Sequence, residues 1–286
     1  ANNESTAIGY QAMRYADNRI AGRVTYNTAV GYQALRGSSI ASNNTGRYNT
    51  SIGHTAMFNT TSGFGNTAIG YSAMLNNTSG EDNTVIGFQA SNNNQTGDYN
   101  TAFGSGALYY AVNSENSAFG NSAGTDSDNS ISCTYIGQNA DNDNFANAYT
   151  NSTALGHDAR MTASNQVRIG SSAVTSIGGF TTWSNVSDGR YKKDVNENVP
   201  GLLFIQKLRP VTYHLDIHAL ADHLHEDPSD VRNPEAKTTP TAATVQARDE
   251  KENLLVSGFI AQEVEQAAQS IGYEFSGVDA PKNDSD

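Results

Sequence analysis

The stretch NTAIGYSA, Asn66 to Ala73, is short, alternates in character, and recurs along the chain. Close copies read STAIGYQA from Ser5, NTAVGYQA from Asn27, NTSIGHTA from Asn49, NTVIGFQA from Asn83, NTAFGSGA from Asn100 and NSAFGNSA from Asn116. More distant copies are CTYIGQNA from Cys133, STALGHDA from Ser152 and NQVRIGSSA from Asn165. The repeat glycines are Gly9, Gly31, Gly53, Gly70, Gly87, Gly104, Gly120, Gly137, Gly156 and Gly170, with steps of 22, 22, 17, 17, 17, 16, 17, 19 and 14 residues. A near-constant step marks one structural unit per repeat, stacked along an axis. The longer steps put insertions into loops, as in LRGSSIASNNTGRY and LNNTSGED.

The alternation inside each octet is that of a strand. In the first copy Thr6, Ile8 and Tyr10 share one face, and Ala7, Gly9 and Gln11 the other. The Asn, Gly and Ser clusters between copies are turn chemistry. One such strand buries too little to fold alone, whereas stacked copies share a continuous core. The Ala/Gly face implies a very close neighbour, and a second chain is the expected one. The pattern leaves open which face points inward. A disordered Asn/Ser/Thr/Gly tract needs no register, and these copies keep one. Sequons such as those at Asn59 and Asn77 follow from the repeat composition.

The chain has 286 residues, enough for one large or two ordinary domains, with 17 basic and 29 acidic side chains and a formal net charge of -12. This excludes a basic grip on nucleic acid or anionic membrane. Cys133 is the sole cysteine, so neither an internal disulfide nor a CxxC metal site is possible. No run approaches the roughly 20 apolar residues of a membrane span, and no membrane insertion is expected. The chain starts at Ala1 rather than Met, so the reading expects a piece of something longer.

Composition changes near residue 187. All six prolines lie at or after Pro200, and all six lysines at or after Lys192. The reading divides the chain into repeats 1–170, a neck 171–186 with Trp183 as a packing plug, and a small α+β domain 187–286. In that domain VPGLLFIQKLRPVTYHL predicts a helical run and then a strand that includes His214. DIHALADHLHED predicts a short helix, and DPSDVRNPEAKTTPTAATVQARDEKEN a charged excursion. LLVSGFIAQEVEQAAQSIG predicts strand, turn and amphipathic helix. His214, His218, His223 and His225 cluster here. His214 and His218 stand at helical metal spacing, but the expected strand and the absence of an acidic partner at zinc spacing argue against a metal. His54 and His157 replace the repeat aromatic and are read as facing solvent or the next coil.

The repeats resemble the head repeats of trimeric autotransporter adhesins and similar repeats in phage-type tail fibres. That resemblance implies left-handed parallel β-rolls, three chains side by side. The C-terminal motifs Ser187-Asp188-x-Arg190-x-Lys192, LLFIQKLRPVTYHL and GFIAQEVEQA resemble the intramolecular chaperone of endosialidase-type tailspikes and tail fibres. That resemblance implies a domain that trimerises the preceding fibre and, in many members, cuts itself off with a Ser-Lys dyad. A final helical segment normally follows in that family, and the reading expects it to lie beyond Asp286.

A serine hydroxyl attacks only when a base takes its proton. A lysine serves as that base when burial or a nearby cation lowers its pKa, and Arg190 and Lys193 flank Lys192. By the family pattern Ser187 attacks the carbonyl of Val186, with Lys192 as base. Asp188 and Arg190 then position the loop. The competing reading is a polar turn, since Ser-Asp-Gly is common turn composition and Gly189 loosens the pair.

The whole reads as a mainly β chain: a stacked parallel β-roll or solenoid, then a small C-terminal α+β chaperone domain. The expected role is a segment of an extracellular homotrimeric fibre, phage or phage-like, that binds a host-surface glycan or protein receptor. No cofactor and no metal is expected. The alternatives are a bacterial surface adhesin and, with weaker support, a glycan-degrading tailspike. The tailspike needs paired carboxylates in a groove, while the repeats carry few acids, mostly in loops such as Glu81-Asp82.

Overall fold

The computed structural model describes residues 4–15, 24–127, 129–144, 147–178, 188–224, 226, 229–230, 233–237, 240–275 and 277. Two compact units emerge, Ala1–Ser172 with Ala219–Pro240, and Ala173–His218 with Thr241–Asp286.

The first unit is a parallel β-solenoid. Each octet contributes a three-residue strand: β1 (Thr6–Ile8), β2 (Thr28–Val30), β3 (Thr50–Ile52), β4 (Thr67–Ile69), β5 (Thr84–Ile86), β6 (Thr101–Phe103), β7 (Ser117–Phe119) and β8 (Thr134–Ile136). After a two-residue β9 (Asp141–Asn142) come β10 (Thr153–Leu155), the two-residue β11 (Arg160–Met161) and β12 (Val167–Ile169). The three-residue strands form one ten-stranded sheet, and β9 pairs with β11 in a second, short one. Every pair is parallel and in register, with Thr67 opposite Thr84 and Ile69 opposite Ile86. Apart from these sheets, β14 (Ser229–Asp230) and β15 (Asn233–Lys237) form a separate two-stranded antiparallel ladder.

The inward face is the alanine face. Ala29, Ala68, Val85, Ala102, Ala118 and Ala154 at the strand centres are fully buried. A second buried row, Ala34, Ala56, Ala73, Ala90, Ala107, Ala123, Ala140 and Ala159, lines the turn. Met57, Met74 and Leu108 fill the remaining space. The close neighbour implied by the Ala/Gly face is therefore the next coil of the same chain, not a second chain. At Gly70, with φ of +140°, a Cβ would lie 2.3 Å from the carbonyl oxygen of Gly87, and the same approach recurs along the ladder. Only glycine combines that φ with that backbone distance.

Buried asparagines hold the coils together. The Asn66 Oδ1 accepts the Asn83 N–H at 3.0 Å, and the Asn66 Nδ2 donates to the Gly80 carbonyl at 2.7 Å. Asn27, Asn49, Asn83 and Asn100 repeat the first of these contacts with the next coil. Each amide thus satisfies a backbone donor and a backbone acceptor that the narrow core hides from water.

The ladder ends where the sequence drifts. Cys133 takes the asparagine position, and its N–H is still received by Asn116 Oδ1 at 3.1 Å. Tyr135 replaces the strand alanine and is fully buried. Its ring occupies space opened at Gly124, where a Cβ would lie 2.8 Å from the Tyr135 Cδ2. Its hydroxyl donates to Asn142 Oδ1 at 3.1 Å. Around it the core turns polar. Asp141 accepts the N–H groups of Asp126 and Asn142, and buried Arg160 donates to the Asn142 carbonyl at 3.1 Å. Burial, followed by the nearby Asp126, pushes the Asp141 carboxyl well above the usual carboxylate range.

The second unit is a small α+β body. Its elements are α1 (Leu202–Ile205), β13 (Val211–Tyr213), α3 (Ala242–Glu252), β16 (Val256–Gly258) and α4 (Ala261–Gln269), while α2 covers Ile217–His223. β13 and β16 pair antiparallel. The predicted helical run contracts to the single turn of α1, and the strand stops at Tyr213, one residue short of His214. The 11-residue α3 stands where a charged excursion was expected. Thr241 caps it by accepting the Thr244 N–H at 3.1 Å, and the helix formers that follow carry it on.

Candidate assembly and processing site

The second unit buries little of its apolar surface. Its core is Phe204, Val264, Ala267 and Ala268, with Leu208, Ile271 and Tyr273 against it. Phe204 also meets Phe275, with ring centroids 5.0 Å apart. The periodicity of α4 explains this, since Val264, Ala267 and Ala268 lie on one helical face. Outside that core Leu202, Leu203 and Ile205 are 60–68% exposed, and Leu254, Leu255, Phe259 and Ile260 are exposed as well. An apolar surface of this extent on so small a body marks an interaction face. The sequence showed these residues as apolar but could not show that they lie outside.

The segment after residue 187 is organised by Asp188. Its Oδ1 accepts the Arg190 N–H at 2.9 Å and caps the 3-10 turn Gly189–Tyr191. The Arg190 guanidinium grips the same carboxylate through Nε at 2.9 Å and Nη2 at 2.6 Å. These hydrogen bonds, with side chain first and backbone second, hold the Asp188 carboxyl below the usual range. Lys192 follows directly and is exposed in the single chain. Val186, Ser187 and Trp183 lie outside the described residues, as does the second half of the expected neck, 179–186.

The histidines are spread over separate partners. His214 Nδ1 lies 2.8 Å from the Glu252 carbonyl, and His218 Nε2 lies 2.8 Å from Asp249 Oδ1. His54 stacks between Tyr32 and Tyr71 of adjacent coils, with centroids 4.7 and 5.1 Å away. His157 Nδ1 is 2.8 Å from the Asp158 carboxylate. His225 lies outside the described residues. Among the described residues no three His, Cys, Asp or Glu side chains gather as metal ligands. Among them, too, no helix is long and apolar enough to cross a membrane.

Sequence reasoning missed Glu226. This buried carboxylate accepts both the N–H of Ser172, at 2.7 Å, and its hydroxyl, at 2.6 Å. Nothing local in HLHEDPS signals a partner 54 residues away.

Comparison with known proteins agrees with this layout. No curated protein and no solved structure matches the chain. Residues 187–273, beginning at the Asp188-capped turn and covering the apolar body, match the family model described as chaperone of endosialidase.

Proposed function

We propose that this chain is a segment of a homotrimeric extracellular fibre, of the phage or phage-like tail type. The repeats 1–170 form its shaft or head, 171–186 its neck, and 187–286 the domain that assembles it. The observation that carries this reading is the chaperone-of-endosialidase match at residues 187–273, directly behind a β-solenoid. The exposed leucines and isoleucine of α1 support it, because a body with so small a core gains stability by association. The physical need is clear as well. Parallel pairing between distant segments is slow and leaves strand edges open. A domain that associates first sets three chains in register and raises their local concentration. Attachment to a host-surface glycan or protein then uses many weak loop contacts, multiplied by three.

Self-release belongs to the same proposal. The Ser187 Oγ, deprotonated by Lys192, adds to the Val186 carbonyl carbon. The Val186–Ser187 C–N bond breaks, the acyl group passes to Oγ as an ester, and the Ser187 nitrogen takes the proton. Water then hydrolyses the ester, leaving the Val186 carboxylate and restoring the hydroxyl. Asp188 and Arg190 position the turn that carries the pair.

The test is native mass spectrometry and a denaturing gel of the full chain beside Ser187→Ala and Lys192→Ala. The expected result is a trimer, with a cut before Ser187 in the wild type that both variants lose. A wild-type chain that remains monomeric at micromolar concentration overturns the fibre reading. A trimer that stays whole in all three proteins retains the assembly role and removes the self-release step.

A further inference from the structure

The solenoid holds a small cavity where its coils change length. The step from Gly31 to Gly53 is 22 residues, and the next, from Gly53 to Gly70, is 17. The extra residues of the longer coil follow Arg36, and Asn44 pins them. Its Oδ1 accepts the Ser38 N–H at 2.9 Å, and its Nδ2 donates to the Ser38 carbonyl at 2.8 Å. A cavity of about 30 Å³ opens here, lined by Arg36, Asn44, Asn27, Asn49, Thr60 and Thr61 among others. That volume has room for one or two water-sized occupants. A tetrahedral oxyanion, with four oxygens, exceeds it.

Two buried donors in this wall have no partner. Thr60 is 3% exposed, and its Oγ1 makes no hydrogen bond; neither does the buried Nε of Arg36. The Arg36 guanidinium lies between two rings, 5.0 Å from the centroid of Tyr15 and 4.5 Å from that of Phe58. Arg14 brings a second cation 5.1 Å from the Tyr15 ring. Among the described residues Arg36 forms no ion pair. The acceptors around the cavity are already engaged. Asn27 Oδ1 accepts the Asn49 N–H at 2.8 Å, Asn49 Oδ1 accepts the Asn66 N–H at 3.0 Å, and the Gly46 carbonyl accepts Asn27 Nδ2 at 3.0 Å. The Thr61 carbonyl accepts the N–H groups of Thr45, at 2.7 Å, and Gly46, at 2.9 Å. The wall therefore offers a cation and two donors against acceptors that already hold a proton each. A water could receive both donors but would leave its own protons and the arginine charge without good partners. An anion receives both donors and supplies the countercharge.

We infer that this cavity binds one monatomic halide ion, chloride in ordinary saline, held by the Arg36 Nε–H and the Thr60 Oγ1–H. The site lies within one chain and stands apart from the trimeric reading above. Arg36 belongs to the last long coil and Thr60 to the first short one, so the ion clips the two together where the repeat changes length. The sequence pattern agrees. Both 22-residue coils carry arginine five residues after their glycine, Arg14 and Arg36, whereas the next four copies carry Phe58, Leu75, Asn92 and Tyr109 there. The cation is confined to the long coils, and the site to their junction with the short ones.

The test melts the full chain in sodium bromide and in sodium gluconate at equal ionic strength, beside Arg36→Met and Thr60→Val. The expected result is a saturating rise in Tm of about 3 °C at a bromide concentration about ten times its Kd, lost in both variants. Thr60→Val keeps the shape and removes the donor, so its sign discriminates. In gluconate it removes an orphaned hydroxyl and should melt no lower than wild type; in bromide it should melt lower. Wild-type crystals grown in bromide should show an anomalous bromine peak within hydrogen-bond distance of Arg36 Nε and Thr60 Oγ1. A water at that position, or bromine only elsewhere, overturns the site. A peak there without the Tm difference is an adventitious ion only, and overturns it as well. If Arg36→Met fails to fold, Thr60→Val and the bromine peak decide.

Discussion

Replacing Asn66 with alanine tests whether the amide ladder or the apolar core holds the coils. The side chain is completely buried. Its removal leaves the Asn83 N–H without the oxygen it reaches at 3.0 Å, and the buried Gly80 carbonyl without the donor at 2.7 Å. Each orphaned buried group costs about 1–3 kcal/mol, so Asn66→Ala should lower stability by about 2–6 kcal/mol. The half-exposed Asn59 is the control. It donates one hydrogen bond to Asn76 at 3.0 Å, and Asn59→Ala should cost about 1 kcal/mol or less. Urea unfolding gives the magnitudes, and amide exchange at Asn83 localises the effect. Asn66→Asp refines the experiment. It keeps an acceptor for the Asn83 N–H and places a buried carboxylate against the Gly80 carbonyl, so its stability should rise as acid restores a donor proton. Equal costs for Asn66→Ala and Asn59→Ala, or faster exchange elsewhere than at Asn83, would refute the argument.

Gly70→Ala puts a Cβ 2.3 Å from the Gly87 carbonyl oxygen at φ of +140°, so it should cost at least about 3 kcal/mol in thermal or urea unfolding, while Gly178→Ala, with nothing within 4 Å, should stay within about 0.5 kcal/mol. Arg160→Met removes the cation 3.9 Å from the buried Asp141 carboxylate and should cost about 3–5 kcal/mol at neutral pH. The raised Asp141 pKa fixes the sign: the folded state binds the proton more tightly than the unfolded, so stability falls as pH rises above the unfolded value. The Arg160→Met deficit should therefore shrink towards pH 4, and a deficit independent of pH would contradict it.

The repeat octet, its step and its alternation determined the solenoid, its ten strands and their register, because each copy carries the whole local code. Strand formation needs only alternating residues flanked by turns, and the recurring glycine shows where backbones meet. The likeness of residues 187–273 to the chaperone-of-endosialidase model was legible for the same reason, its motifs being written in contiguous residues. Which face turns inward was decided only by packing. Alanine and glycine let coils of one chain approach to backbone contact, and this pushes isoleucine and tyrosine outside. The contacts between Tyr135 and Gly124, between Asp141 and Arg160, and between Ser172 and Glu226 join residues distant in sequence. No local pattern encodes such pairs, because their energy arises only when the tertiary structure removes both partners from water.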